Sequence, residues 1–373
     1  MEKKEKKVEY LELVYDLVFV YIIGRNNSLL HNIENGFLSM PVFLAYVLCS
    51  LAIIQIWNYS TFYTNMYGRN SLRDHISLFL NMYLLYYIGE GTRLHWESFQ
   101  NQYHLAWALI LVNIGIQYAL ELRNRTDPAE RNTTLGMMVA LFGEAAIVLV
   151  AILIYNRTGV QIAGVAILYG IVVTRLLSGK AKSTLVDFPH LSERAMLYVV
   201  FTFGEMIIAI ASYFEGDFDL SSVYFSTMSF LIVAGLFLCY EILYDRIIDR
   251  EKSATGMNYM MIHIFLIFAM NNITTSLEFM RNTEVALCPK MIFLVASFLL
   301  LFGCLFLLLT YAKPEMRRCG KFVLRSMALS LAFVVLMLAL RENMRLNILT
   351  TVAYVAAQAW MLYRFSRQGA SRS

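Results

Sequence analysis

Residues 134–155 read TLGMMVALFGEAAIVLVAILIY, a run in which Glu144 is the single charged side chain. A stretch of this length matches a helix crossing a hydrocarbon layer of roughly 30 Å, which takes about 20 apolar residues. It is far longer than the about 9–11 residues of a transmembrane strand and shows no period-two alternation. Similar runs extend outward at 11–30, 40–64, 76–94, 103–121, 159–177, 193–213, 221–243, 258–279, 290–312, 322–340 and 346–363. The sequence therefore predicts an all-α, polytopic membrane bundle of about twelve transmembrane helices. It reads as one integral membrane domain over 1–373, ending in a short cytoplasmic tail at 364–373.

Composition points the same way. Of 373 residues 58% are hydrophobic and 16% charged, with a mean hydropathy of +0.56, where a soluble domain carries about 25% charge. The spans and their loops use nearly the whole length, which leaves no room for a separate soluble domain. Cys49, Cys239, Cys288, Cys304 and Cys319 lie far apart without a CxxC pattern, so they predict neither a metal site nor a disulfide framework. No GxxxxGK[ST] loop, HExxH helix or GxSxG elbow occurs, and neither an enzyme nor a cofactor is expected. The opening MEKKEKKVEYLELVYD is followed by no small-residue cleavage site, which predicts a retained first helix.

Basic residues alternate in density from loop to loop. With the N terminus inside, 24 of the 31 Lys and Arg residues fall in inner segments, which predicts that both termini are cytoplasmic. The +4 net charge then faces an anionic inner leaflet and calls for no nucleic acid. The expected partners are the lipid bilayer and protons, cations or a small solute. An even span count permits two parallel six-helix halves, 1–180 and 181–363, with Gly24 over Gly204 and Asn65 over Asp245.

Ionisable groups inside such runs cost about 2.5–3.5 kcal/mol each on insertion scales, so they need protein, water or a partner. Glu12 and Asp16 stand four residues apart in the first run and share a helix face, as do Glu241 and Asp245 in the eighth. Glu144 follows Gly143, Glu205 follows Gly204 near the middle of its run, and His263 lies in the ninth. A small residue beside a carboxyl lets a neighbouring helix approach and shield it. Two readings are open: a proton or cation relay, or polar links between helices and snorkelling at the interface. Trp57, Tyr63, Tyr67, Trp96 and Trp107 read as interfacial belts. The segment SYFEGDFDLSS (212–222), with Glu215, Asp217 and Asp219, lacks the Gly and terminal Glu of a calcium loop and reads as a solvated acidic turn.

Two stretches are more specific. LELVYDLVFVYIIG (11–24) resembles the ELFFDLVFVFAI-like signature of the bacterial low-temperature-requirement A (LtrA) family, and HLSERAMLYVVFTFGEMIIAI (190–210) is similar to its H-x-x-E-R followed by an apolar run and Gly-Glu-Ser. Glu12 and Asp16 match the acidic pair of the first motif; His190, Glu193, Arg194, Gly204 and Glu205 match the second. Met206 stands where the family has Ser. IWNYSTFYTN and His263 match more loosely. The resemblance implies a bacterial inner-membrane protein linked by name to growth in the cold. On the residues themselves, Pro189 predicts an abrupt helix start, Glu193 a favourable charge at the helix N-terminus and Arg194 an anchor near the headgroups. The rival role is a cytoplasmic gate feeding Glu205, about 18 Å further along the helix. The leading functional expectation is a proton-coupled or cation-handling transporter or channel using Glu205, Asp16, Asp245 and Glu144, assisted by His263. The competing one is a non-transporting sensor or scaffold.

Overall fold

The computed structural model describes residues 6–31, 33–34, 36–92, 96–178, 185–211, 219–252, 254–281, 284–317 and 319–370. Among them are twelve α-helices: α1 Tyr10–Asn26, α2 Met40–Tyr67, α3 Leu72–Thr92, α4 Trp96–Leu122, α5 Pro128–Thr158, α6 Gly164–Ser178, α7 Phe188–Ile210, α8 Leu220–Glu241, α9 Met257–Arg281, α10 Leu287–Leu308, α11 Gly320–Ala339 and α12 Met344–Ala370. Every predicted run has its helix. Among the described residues, seven helical stretches are long and apolar enough to cross a membrane: Met40–Tyr67, Phe99–Leu122, Pro128–Thr158, Leu220–Ile247, Met257–Met280, Leu287–Tyr311 and Gly320–Ala339. The chain is thus an all-α, multi-pass membrane protein. Large apolar side chains stand exposed along these helices and their neighbours, among them Leu153, Leu168, Leu331 and Val335, as a lipid-facing surface requires.

The first run is shorter than its hydropathy predicts. α1 ends at Asn26, where Arg25, Asn26 and Asn27 interrupt the apolar sequence, and a 3₁₀ turn over Asn27–His31 follows. A two-rung antiparallel ladder, β1 Ile33–Glu34 with β2 Phe37–Leu38, then leads to α2. The acidic residues Glu215 and Asp217 lie outside the described residues, and so does the side chain of Trp96. Asp219 caps α8, accepting from the Ser222 N–H at 2.7 Å.

The chain forms two compact units. The first holds α1–α6, α7 as far as Tyr198, and α9 as far as Ile264. Its axis is α2, in which every residue from Ala52 to Asn65 is buried. A helix covered on all sides belongs to a bundle interior; α1, α4 and α6 pack against it, and α3 and α5 pack in turn against α4. The second unit holds the ladder, the rest of α7 and α9, and α8 with α10–α12. There α8 lies along α12, and α11 joins α12 through Ser326, Ser330, Tyr354 and Gln358: the Ser330 and Tyr354 hydroxyls are 2.8 Å apart, and Phe333 stacks on Tyr354 at 4.2 Å.

The α8–α12 contact depends on a missing side chain. A Cβ at Gly235 would fall 2.6 Å from Cγ1 of Val355, so helices without strong mutual hydrophobic attraction in lipid pack closely here only because the residue is small. Gly235→Ala is expected to destabilise by about 1–3 kcal/mol, and adding Val355→Ala to restore part of the loss. Thermal unfolding of the purified variants in detergent measures both.

Candidate functional site

Arg194 lies seven residues into α7 with its side chain 1% exposed. Its guanidinium grips Asp16 of α1 through two parallel bonds, Nε to Oδ2 at 3.1 Å and Nη2 to Oδ1 at 2.5 Å. Nη1 reaches Oε1 of Glu12 at 3.2 Å and donates to the Thr64 hydroxyl of α2 at 3.0 Å. Trp57 of α2 completes the shell of Asp16, its Nε1–H donating to Oδ1 at 2.8 Å. Forked Arg–carboxylate pairing is the strong geometry for a desolvated pair, and here it gathers α1, α2 and α7.

His190 stands one turn earlier on α7, with Nε2 3.3 Å from Oε2 of Glu12 and Nδ1 2.9 Å from Nδ2 of Asn65. The Asn65 amide is oriented by the Asp187 backbone: its Nδ2 donates to the Asp187 carbonyl at 2.8 Å and its Oδ1 accepts the Asp187 N–H at 3.0 Å. The second Nδ2 hydrogen therefore points at His190 Nδ1, which must accept. On the other side of the ring, Nε2–H donates to Glu12. Glu12 also takes the Glu9 N–H at 3.1 Å, fastening the first turn of α1 to the same node.

A cavity of about 230 Å³ opens beside Glu12, lined also by Lys6, Glu9, Thr64, Arg69, Asn70 and Asp74. Lys6 Nζ donates to the carbonyls of Thr64 and of Gly68, the latter at 2.9 Å, where α2 ends. Burial lowers the Lys6 pKa below its ordinary value, against the pull of Glu12. Across the cavity Asp74 caps α3 with Ser71, accepting the N–H groups of Arg69 and Ser71, each at 3.1 Å. Burial pushes its carboxyl upward, but those donors, with Arg73, hold it below the usual carboxylate range. Nearby, the buried Glu121 of α4 pairs with Arg73 at 2.5 Å and Arg125 at 2.9 Å.

Glu144 stands apart from these charges. It is fully buried, sixteen residues from one end of α5 and fourteen from the other. Its Oε2 accepts from the Tyr59 hydroxyl at 2.8 Å and from Gln55 Nε2 at 3.2 Å, both on α2. Its Oε1 and the Oε1 of Gln55 have no hydrogen-bond partner. Room for the carboxyl comes from α6, where a Cβ on Gly170 would lie 1.9 Å from Glu144 Oε2.

A family model described as Bacterial low temperature requirement A protein (LtrA) matches residues 7–365. The chain belongs to the LtrA family. No curated protein and no solved structure matches it. The two stretches that carry the LtrA resemblance thus meet in space: Glu12 and Asp16 from one, His190 and Arg194 from the other.

Other sequence expectations for this LtrA chain are corrected. Arg194 is not an anchor near the headgroups but the buried partner of Asp16. Glu193 is exposed, and the first turn of α7 is capped instead by Asp187, whose Oδ1 accepts the His190 N–H at 3.2 Å. Trp57, Tyr63, Tyr67 and Trp107 are buried rather than interfacial. Glu205, half-buried in the second unit, stands five residues before the end of α7 rather than mid-helix. A Cβ at Gly204 would meet nothing within 4 Å, so no close helix approach occurs there, whereas one at Gly143 would strike the Tyr169 hydroxyl at 2.1 Å. Glu241 and Asp245 are both exposed; Asp245 falls in a π-helical turn, Ile242–Ile247, and lies 3.7 Å from Arg250. His263 is buried on α9, its Nδ1 2.8 Å from the Tyr259 carbonyl. Sequence reading missed Lys6, Gln55, Tyr59, Asn65 as an orienting amide, and Gly170; the polar run from Gln55 to Asn65 within an apolar helix was the available signal.

Removing Arg194 strands two buried carboxylates. Arg194→Met is expected to cost about 3–5 kcal/mol, and Arg194→Lys to recover only part, because an ammonium lacks the fork. Adding Asp16→Asn to Arg194→Met is expected to be less damaging than the two losses summed. Thermal unfolding of the single and double variants gives the coupling.

Proposed function

We propose that this LtrA-family protein is a proton- or cation-handling transporter or channel, and that Glu144 is the group that exchanges the ion. One observation carries the reading: among the carboxyls anticipated from sequence, Glu144 is the one buried at mid-helix with only neutral hydrogen-bond partners and one oxygen unpartnered. Asp16 and Glu12 are held by a fixed cation, and a carboxylate in a permanent fork has little reason to exchange its partner. A carboxyl facing only Tyr and Gln changes protonation or takes up a cation without first breaking an ion pair. Glu205, Asp245 and His263 are assigned secondary ion-handling places.

The setting proposed is the bacterial inner membrane, with twelve crossings in two parallel halves and both termini cytoplasmic, as the distribution of basic residues supports. The lipid bilayer and the transported ion are the partners; no nucleic acid, cofactor or enzymatic reaction is part of the reading. The competing reading, a non-transporting sensor or scaffold concerned with growth in the cold, is favoured by the Arg194 cluster, whose described polar atoms are paired as in a structural joint.

Flux in proteoliposomes separates the two. Under a pH gradient, or with a cation gradient, the wild type is expected to show ion movement, and Glu144→Gln to reduce it at least 10-fold while keeping the fold, because the amide retains the shape but not the exchangeable charge. Equal flux and equal pH dependence in Glu144→Gln would remove Glu144 from the mechanism. No flux in the wild type would favour the scaffold.

A further inference from the structure

The last turn of α2 offers a set of oxygens better suited to a cation than to a routine helix end. The carbonyls of Thr64, Asn65 and Gly68 converge on one point, the Asn65 and Gly68 oxygens lying 3.5 and 2.9 Å from Lys6 Nζ. A helix C-terminus carries about half a negative charge. Three carboxylates, Glu9, Glu12 and Asp74, line the adjoining cavity, whose free volume of about 230 Å³ remains with the Lys6 side chain in place and has room for an ion and its water.

Charge balance sharpens the point. The motif cluster holds two carboxylates, Glu12 and Asp16, against the one guanidinium of Arg194. His190 stands beside Glu12 as a hydrogen-bonding ring. The remaining positive charge beside Glu12 comes from Lys6, with Arg69 on the cavity rim 65% exposed and turned toward Glu121. The lysine reaches the site from the non-helical residues that precede α1, as a tethered ion.

We propose that the α2 carbonyls with Glu12 and Asp74 form a binding site for a monovalent cation of the size of ammonium or potassium, and that Lys6 fills it intramolecularly. Backbone carbonyls arranged around a point replace the hydration shell of such an ion. In the Lys6-bound state the carbonyls are occupied; withdrawal of the Lys6 side chain frees them for a cation, which then takes the lysine's place beside Glu12. The proposal is independent of Glu144 and is tested by binding rather than by flux.

The full-length protein is purified as wild type, Lys6→Met and Lys6→Gln, and melted in choline, sodium, potassium or ammonium chloride at equal ionic strength. Both variants are expected to melt below the wild type in choline. Potassium or ammonium should then raise their midpoints by about 2 °C or more along a saturable curve, while the wild type responds equally to all four salts. Lys6→Gln keeps a donor for the carbonyls and serves if Lys6→Met is recovered unfolded. Variants indifferent to the identity of the cation would overturn the proposal. So would failure of both variants to fold in potassium, since the free ion should substitute for the ammonium.

Discussion

A guanidinium in a protein interior must be matched by anions in the right geometry, and Arg194 sets that demand here. Taking the ions out of water costs several kcal/mol each, which only well-aligned pairing repays. The fork on Asp16 joins residues 178 apart in sequence, and Trp57 and Thr64 bring in the buried C-terminal half of α2. Once α1 and α7 are fixed against α2 at this point, the start of α1, the end of α2 and the start of α7 lie together, and His190, Asn65 and Lys6 are placed by the same contact. The family's two sequence motifs are two halves of one electrostatic joint.

The parts of this arrangement that depend on near neighbours were legible in the sequence. Apolar runs long enough for helices gave the elements, and the four-residue spacing of Glu12 and Asp16 correctly set both on the face that meets Arg194. Depth was not legible. Arg194 reads as a headgroup anchor because it opens the apolar run, yet α7 begins earlier, at Phe188 behind the Asp187 cap, and so carries Arg194 about two turns inward. Trp57 and Tyr63 read as belts because aromatic residues near polar ones often are; that α2 is enclosed on every side follows from packing with helices remote in sequence. The π-turn that carries Asp245 was not legible either, because it shows only in the backbone hydrogen bonding of Ile242–Ile247.

The first unit therefore contains two kinds of buried carboxyl, distinguished by what surrounds them. Asp16 is matched by a full positive charge in a fixed direction, which makes it a fastening. Glu144 is matched by a phenol and an amide, with Gly170 leaving the space that its oxygen occupies. Neutral dipoles stabilise either protonation state far less one-sidedly than a guanidinium does, so the physical cost of changing state at Glu144 is smaller than at Asp16 even though both are wholly buried. Glu12 lies between these cases: it shares Arg194 with Asp16, accepts a hydrogen bond from His190, and opens onto the cavity where Lys6 sits. Its charge is the one that Arg194 does not fully balance. An ion entering this cavity passes the exposed Glu9 before it reaches the buried Glu12, and at the carbonyls beside Glu12 it finds a lysine already in place.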